Sequence, residues 1–249
     1  MSFTPRLFLA TAPSPEQKEI TLDESASRYL VKVLRLEPGA KFFGFDTQAI
    51  EYELQLGQTD MIPATAAVIS RSEKKEIGQG NWIALAQSLP KGPKIDLILK
   101  QGTEAGVNRF IPLVTQRSVS RPDESQFEHK NNRWQKILVE ACRQCGRNDV
   151  PQLDEVTDWK KCLELFGEFD QVLLPYEKEA PTLKTVLESN SSAHKILVLV
   201  GPEGGWSKDE VQEAQQKGAA AVHLPTPILR TETAGLAIVS MIQYALSHP

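Results

Sequence analysis

The spacing of apolar residues changes near position 80, and the change divides the chain into two patterns. Before it, the chain reads as β-rich, with short strand candidates at Leu7-Phe8-Leu9, Lys41-Phe42-Phe43-Gly44-Phe45 and Glu51-Tyr52-Glu53-Leu54-Gln55-Leu56, and another from Ala64 to Ile69. One helix interrupts them. Asp23 is placed to cap it, Tyr29, Leu30, Val33, Leu34 and Leu36 carry helical spacing, and Pro38-Gly39 stops it. A small β-barrel with one helix is the expected first domain, over residues 1–71.

Residues 71–80, charged and glycine-containing, read as a linker. Beyond it, apolar strands at 82–86, 109–114, 171–174, 196–200 and 221–224 alternate with helical stretches. The helices fall near 93–105, 128–145, 158–166, 181–189, 207–217 and 232–247. Strand-helix alternation predicts an α/β domain, over residues 72–249, with a parallel sheet covered on both faces. Within its last helix Ala234, Ala237, Ile238, Met241, Ile242 and Ala245 form an apolar stripe. Leu236, Val239 and Tyr244 lie off that stripe, which predicts a helix buried in the domain or at a subunit interface.

Composition narrows the class. A 41% hydrophobic, 24% charged chain of 249 residues is long enough for a substantial core. No apolar run reaches membrane-spanning length, and Met1-Ser2-Phe3-Thr4-Pro5-Arg6 lacks the apolar core of a secretory signal. Cys142, Cys145 and Cys162 make no disulfide framework, so a reducing cytoplasm is the expected home, with no membrane partner. The net charge of −4 argues against nucleic acid, but its distribution does not. Lys91 to Arg147 holds 11 Lys/Arg against 6 Asp/Glu, whereas Asp149 to Glu188 holds 4 against 10. A locally basic half-domain can meet phosphates, because screening confines charge effects to about 8–10 Å. Arg133, Lys136 and Arg143, with Arg147 beyond Gly146, lie opposite the apolar face of the helix at 128–145; Lys94, Lys100, Arg117 and Arg121 add to the same region.

Two turns carry the candidate chemistry. Gly201-Pro202-Glu203-Gly204-Gly205-Trp206 leaves the run Ile196-Leu197-Val198-Leu199-Val200, and Leu229-Arg230-Thr231-Glu232-Thr233-Ala234 opens the last helix. Both sit where strands end, and open α/β sheets place their ligand crevices there. Ser207 and Glu210 have capping-box spacing, so a helix should start after the first turn. Thr231 or Thr233 is placed to cap the last helix. Neither GxGxxG nor GxxxxGK[ST] occurs, which disfavours a nicotinamide or nucleoside-triphosphate enzyme. His129, His194, His223 and His248 lack metal-ligand spacing, and no GxSxG or HExxH is present, so no metal is expected.

At these turns the chain closely resembles the bacterial 16S rRNA (uracil-N3)-methyltransferases, a branch of the SPOUT methyltransferases. The matching segments are Leu199 to Trp206 and Ile228 to Ala234, with Gly102-Thr103-Glu104-Ala105-Gly106-Val107, Gln116-Arg117-Ser118-Val119, Arg133-Trp134, Gln144-Cys145-Gly146-Arg147 and Val150-Pro151. Val33-Leu34-Arg35-Leu36 is similar to part of the family's RNA-binding module. Four positions depart from the pattern: Arg143 replaces a Glu, Trp206 a Phe, Thr226-Pro227 stand where Arg is frequent, and Asp46-Thr47 where Asp-Gly is usual.

The resemblance implies a PUA-like barrel followed by a SPOUT domain with a trefoil knot, a homodimer, and S-adenosylmethionine-dependent methylation of a uridine near the 3′ end of 16S rRNA. It implies that Leu199, Val200, Gly201, Pro202, Gly204, Leu224, Ile228, Leu229, Thr231 and Thr233 hold the methyl donor, with Leu174 and Pro175 closing its adenine side. Arg230 is the expected stabiliser of charge on the uracil oxygens, with Glu203, Glu232 or water as base. Arg6, Arg35, Lys94, Arg117, Arg133 and Arg147 are the expected RNA contacts. The competing expectation is an RNA-binding module with a non-catalytic knotted domain.

Overall fold

A computed structural model of the chain describes residues 4–73, 81–119, 124–177 and 179–246. Most of the expected linker, and Arg121, lie outside these residues. The chain divides into two compact units, Met1–Ile77 with Cys142–Val150, and Gly78–Ala141 with Pro151–Pro249.

The first unit holds strands β1 (Arg6–Phe8), β2 (Glu19–Thr21), β3 (Lys41–Phe45), β4 (Ile50–Leu56) and β5 (Thr65–Glu73), in the sheet order β1-β3-β4-β5-β2. β1 runs parallel to β3 and the other pairs are antiparallel. β1 and β2 are the two ends of this order, so the described residues of the expected small barrel form a mixed half-barrel sheet. β2 left no pattern because it is three residues long and buries only Ile20.

Helix α1 (Glu24–Arg28) begins as expected, with Asp23 accepting from the Ala26 N–H at 2.7 Å. It then widens into the turn Tyr29–Val33, where the Leu34 N–H reaches back five residues to the Tyr29 carbonyl. The extra residue rotates the apolar face. Leu30 is fully buried while Val33 is 67% exposed, against its expected place on that face. Between β3 and β4, buried Asp46 accepts from the N–H groups of Gln48 and Ile50 and from the Tyr52 hydroxyl at 2.7 Å.

The segment Cys142–Val150 groups with this unit, a return the simple boundary at 71/72 did not foresee. Polar contacts account for it. Arg6 pairs with Glu51, donates to the Asn148 side chain and the Arg147 carbonyl, and lies over the Phe45 ring. Arg143 donates to the Arg6 carbonyl at 2.9 Å and stacks 4.7 Å from the Tyr29 ring centroid. Arg147 pairs with Asp149. Arg6 and Arg147, expected at the RNA, are therefore engaged inside the unit, with side chains only 12% and 8% exposed.

The second unit is built on β6 (Trp82–Ser88), β7 (Arg109–Val114), β8 (Gln152–Leu153), β9 (Thr157–Asp158), β10 (Gln171–Pro175), β11 (Lys195–Val200) and β12 (Ala220–Val222). All pairs are parallel, in the order β12-β10-β11-β6-β7-β8, with β9 also on β7. The helices are α2 (Lys94–Glu104), α3 (Glu124–Cys145), α4 (Trp159–Glu164), α5 (Leu183–Ser189), α6 (Lys208–Gln216) and α7 (Thr231–Leu246), and α3 ends in the segment that belongs to the first unit. The two-residue strands β8 and β9 are too short to leave a periodic signal. None of the described helices is long and apolar enough to cross a membrane.

Alternate residues of the central strands serve opposite faces. Ala84, Ala86, Leu197 and Leu199 join one core with Trp159, Trp206 and Val211. On the other face α7 lies close to β6, because Gly235 has no Cβ to meet Leu85, which would stand 3.2 Å away. That approach rotates α7 from the expected stripe. Thr231, Gly235, Ile238, Val239 and Ile242 are buried, whereas Ala245 is exposed and Ala234, Ala237 and Met241 are half-buried.

Two outcomes follow from this packing. Arg6→Ala removes the cation from a Glu51 side chain that is 13% exposed and is expected to cost about 3 kcal/mol in urea denaturation, the low end of the range for a buried pair. Replacing Arg6 and Glu51 together by Met and Leu should recover most of that loss. Burial pushes the thiols of Cys142 and Cys162 up to about 12. A thiol reagent at pH 8 should therefore leave both unmodified in the native protein and label both after denaturation.

Candidate active site

β11 is apolar on both faces and ends at Val200, just before Gly201. The chain then turns, with the Gly205 N–H bonded to the Pro202 carbonyl and Gly205 at φ +66°, a conformation that favours glycine. Gly201 is needed for another reason: a Cβ there would meet the Trp206 ring at 3.1 Å. The capping box is present, Ser207 and Glu210 each bonding the other's backbone N–H, and it starts α6. Glu210 also accepts from the Gln116 N–H at 2.8 Å, and Arg117 donates to the Gly204 carbonyl at 2.8 Å. The loop after β7 thus braces the glycine turn.

The second turn leaves β12 through His223, which bridges to Thr182, and buried Leu224. It exposes Ile228 and Arg230 and enters α7. The expected threonine cap is absent. The Arg230 carbonyl receives the N–H groups of Thr233 and Ala234, while the Thr231 hydroxyl donates to the Gly201 carbonyl at 2.6 Å. That hydroxyl also accepts from Gln87 Nε2 at 2.9 Å. Thr231, one of two threonines placed to cap the start of this helix, instead ties the two turns together.

Between them lies a cleft of about 600 Å³, within the usual range for small-molecule sites. Val200, Gly201, Pro202, Gly204, Leu224, Ile228, Leu229, Thr231 and Pro175 line it, together with Glu203, Arg230 and Glu232. Leu174 and Leu199, expected in the same set, are fully buried in the core behind it, and Thr233 points to solvent outside the lining. Tyr176, His223, Thr226 and Trp206 line the cleft without having been foreseen. The His223-Leu224 strand end was their available signal.

Lys94, expected at the RNA, lines the cleft too. Its ammonium donates to Glu203 at 3.2 Å and to Glu232 at 3.3 Å, one acid from each turn. These two bonds raise its pKa. Burial works to raise Glu203, but backbone N–H groups, including that of Lys91, and Lys94 outweigh it and hold the carboxyl below its ordinary value. Glu232 is also lowered, first by its own backbone N–H, which outweighs the opposing cost of burial, with Lys94 and then Arg230 adding to the effect. Both acids are ionised and already engaged at neutral pH, which makes them weak proton acceptors. Arg133 likewise pairs with Asp96, and Arg35 is exposed in the first unit at φ +54°. Among the described residues no group of His, Cys, Asp and Glu could hold a metal ion.

The walls suit a ligand with a flat apolar part and polar ends: apolar side chains from Val200, Leu224 and Ile228, and main chain from both turns. The model of the RNA methyltransferase domain matches residues 79–243. The chain is 31% identical to the ribosomal RNA small subunit methyltransferase E of Bacillus subtilis, over 87% of this chain and 86% of the relative. It is likewise 31% identical to the protein of that name from Synechocystis, over 94% and 76%. The crystal structure of the Neisseria gonorrhoeae ribosomal RNA small subunit methyltransferase E bound to S-adenosyl methionine superposes with a TM-score of 0.89, at 28% identity, covering 98% of each chain. Paired turns at the strand ends, a match over most of the second unit and likeness along the full length converge on one conclusion: the chain belongs to the RNA methyltransferase family.

Proposed function

We propose that this protein uses S-adenosylmethionine to methylate N3 of a uridine near the 3′ end of 16S rRNA in the small ribosomal subunit, in the cytoplasm. The observation that carries the reading is the cleft itself, formed by two turns 30 residues apart and joined by the Thr231–Gly201 bond. The named relatives methylate small-subunit rRNA, and one of them is bound to S-adenosyl methionine. In this reading the first unit is a PUA-like RNA-binding module, the segment from β11 to α7 is threaded as a trefoil knot, and the half-buried apolar residues of α7 pack against a second copy in a homodimer. Arg35 and Arg117 are the proposed RNA contacts, and Arg133 contributes when its Asp96 partner yields to phosphate.

When bound, S-adenosylmethionine supplies an electrophilic methyl group on a cationic sulphur. The main chain of Gly201 to Gly204 and Leu224 to Thr231 holds its polar ends, and Val200, Leu224 and Pro175 cover its apolar part. Attack by N3 needs that nitrogen to lose its proton. Arg230, exposed at the cleft, stabilises the negative charge that develops on the uracil oxygens. Glu203 and Glu232 act as anchors for Lys94, so water takes the proton. Positioning, together with charge stabilisation, accounts for the acceleration.

Arg230→Ala is expected to lower kcat at least a hundredfold, a typical size for a lost charge-stabilising donor, while leaving S-adenosylmethionine affinity within about threefold. Turnover within a few-fold of the parent would refute the assignment. Mass mapping of 16S rRNA from a strain lacking the protein should show one methyluridine missing, and restored on complementation. Lys94→Met should weaken S-adenosylmethionine binding about two- to fivefold, in keeping with half-exposed ion pairs. It should not change how steeply rRNA binding falls with salt. A salt slope reduced by roughly one unit would return Lys94 to the phosphates.

A further inference from the structure

A glutamine in a strand whose two faces are both covered calls for an explanation. β6 reads Trp82-Ile83-Ala84-Leu85-Ala86-Gln87-Ser88, and its alternation places Ile83, Leu85 and Gln87 on one face. Gln87 is 1% exposed and stands opposite Val200 in the parallel ladder, one residue before the glycine turn begins. Burying an amide there is costly unless it is hydrogen-bonded, and an apolar residue would serve the core better.

Its bonds point to a purpose. Nε2 donates to the Ser88 carbonyl at 3.0 Å and to the Thr231 hydroxyl at 2.9 Å. A threonine hydroxyl carries one proton, and a carbonyl can only accept. The Thr231 proton must therefore go to Gly201, and the remaining lone pairs of Thr231 take the amide N–H. The Gly201 carbonyl alone sets the direction of the bond that joins the turns, and Gln87 holds the hydroxyl in place from the strand. Its other amide atom, Oε1, faces α7 at Gly235, where a Cβ would stand 3.4 Å away. Strand, glycine turn and helix start meet at one buried amide.

We infer that Gln87 is a positioning residue for the methyl-donor site, acting through Thr231 and not by touching the donor. The inference rests on the reading of the cleft as an S-adenosylmethionine site. It separates affinity from stability in a way a structural role would not. An unbranched apolar replacement fits beside Leu85 and Gly235 and keeps the core filled, yet it releases the Thr231 hydroxyl from the sheet. The turns then lose their fixed spacing, and ordering them falls to the ligand.

The test is calorimetric titration of the full-length protein with S-adenosylmethionine, paired with thermal unfolding in its absence. Gln87→Met should melt close to the parent yet bind about tenfold more weakly, the effect of one buried hydrogen bond. Thr231→Val should be weakened similarly, Thr231→Ser should bind like the parent, and the Gln87→Met, Thr231→Val double variant should be no weaker than Thr231→Val alone. Affinity within twofold of the parent for a folded Gln87→Met, or effects that multiply in the double variant, would overturn the inference. If Gln87→Met fails to fold, Gln87→Leu and the two Thr231 variants carry the same comparison. A parent protein that binds no S-adenosylmethionine would remove the cofactor site itself, a different failure from a parent that binds normally and a variant that does too.

Discussion

A single hydroxyl, that of Thr231, holds the cleft in its shape. The glycine turn follows β11 and the second turn leads into α7, and each is anchored by its own strand or helix. The shared sheet, in which β11 and β12 both pair with β10, sets the coarse spacing of the turns. The bond from the Thr231 hydroxyl to the Gly201 carbonyl, 2.6 Å long, joins the turns directly, and Gln87 holds that hydroxyl from the sheet beneath. The glycines then have a clear purpose. Gly201 admits the Trp206 ring and Gly235 lets α7 reach β6, so the turn and helix come close enough for that bond to form.

Charge reinforces the arrangement from outside. Lys94 spans Glu203 and Glu232, again one group from each turn, but in a half-exposed setting where each ion pair is worth little. The buried neutral bond sets geometry, and the charged bridge biases the turns toward closure. The same bridge occupies both carboxylates, whose pKa values are held down first by backbone N–H groups, and Arg230 lines the cleft close enough to Glu232 to add to that effect. The chemistry this permits is transfer governed by position and charge stabilisation, with little demand for proton transfer to protein.

What the sequence made legible, and what it hid, follows from the range of each interaction. The strands β6, β7, β10 and β11 are apolar runs of five to seven residues, and the two turns announce themselves by glycine, proline and threonine. The Ser207–Glu210 box is a three-residue relation and was readable for that reason. β2, β8 and β9 were too short to show a period. The outward turn of Val33 came from one extra residue in a helical turn, which no propensity marks. Cations were the hardest to read. The excess of basic residues between Lys91 and Arg147 suggested a phosphate-facing surface, but their partners lie far along the chain, Asp154 for Arg109 and Glu203 for Lys94, as Glu51 does for Arg6 outside that range. Thr231 was misread for the same reason, since the carbonyl it serves is 30 residues away.

The central claim is that two turns held by one hydroxyl form the methyl-donor site. Crystals of the full-length protein grown with S-adenosylmethionine test it most directly. The account predicts the ligand seated between Gly201–Gly204 and Leu224–Arg230, with the Thr231 hydroxyl still bonded to the Gly201 carbonyl and to Gln87. A ligand bound elsewhere, or one seated there with Thr231 turned away from Gly201, would contradict it.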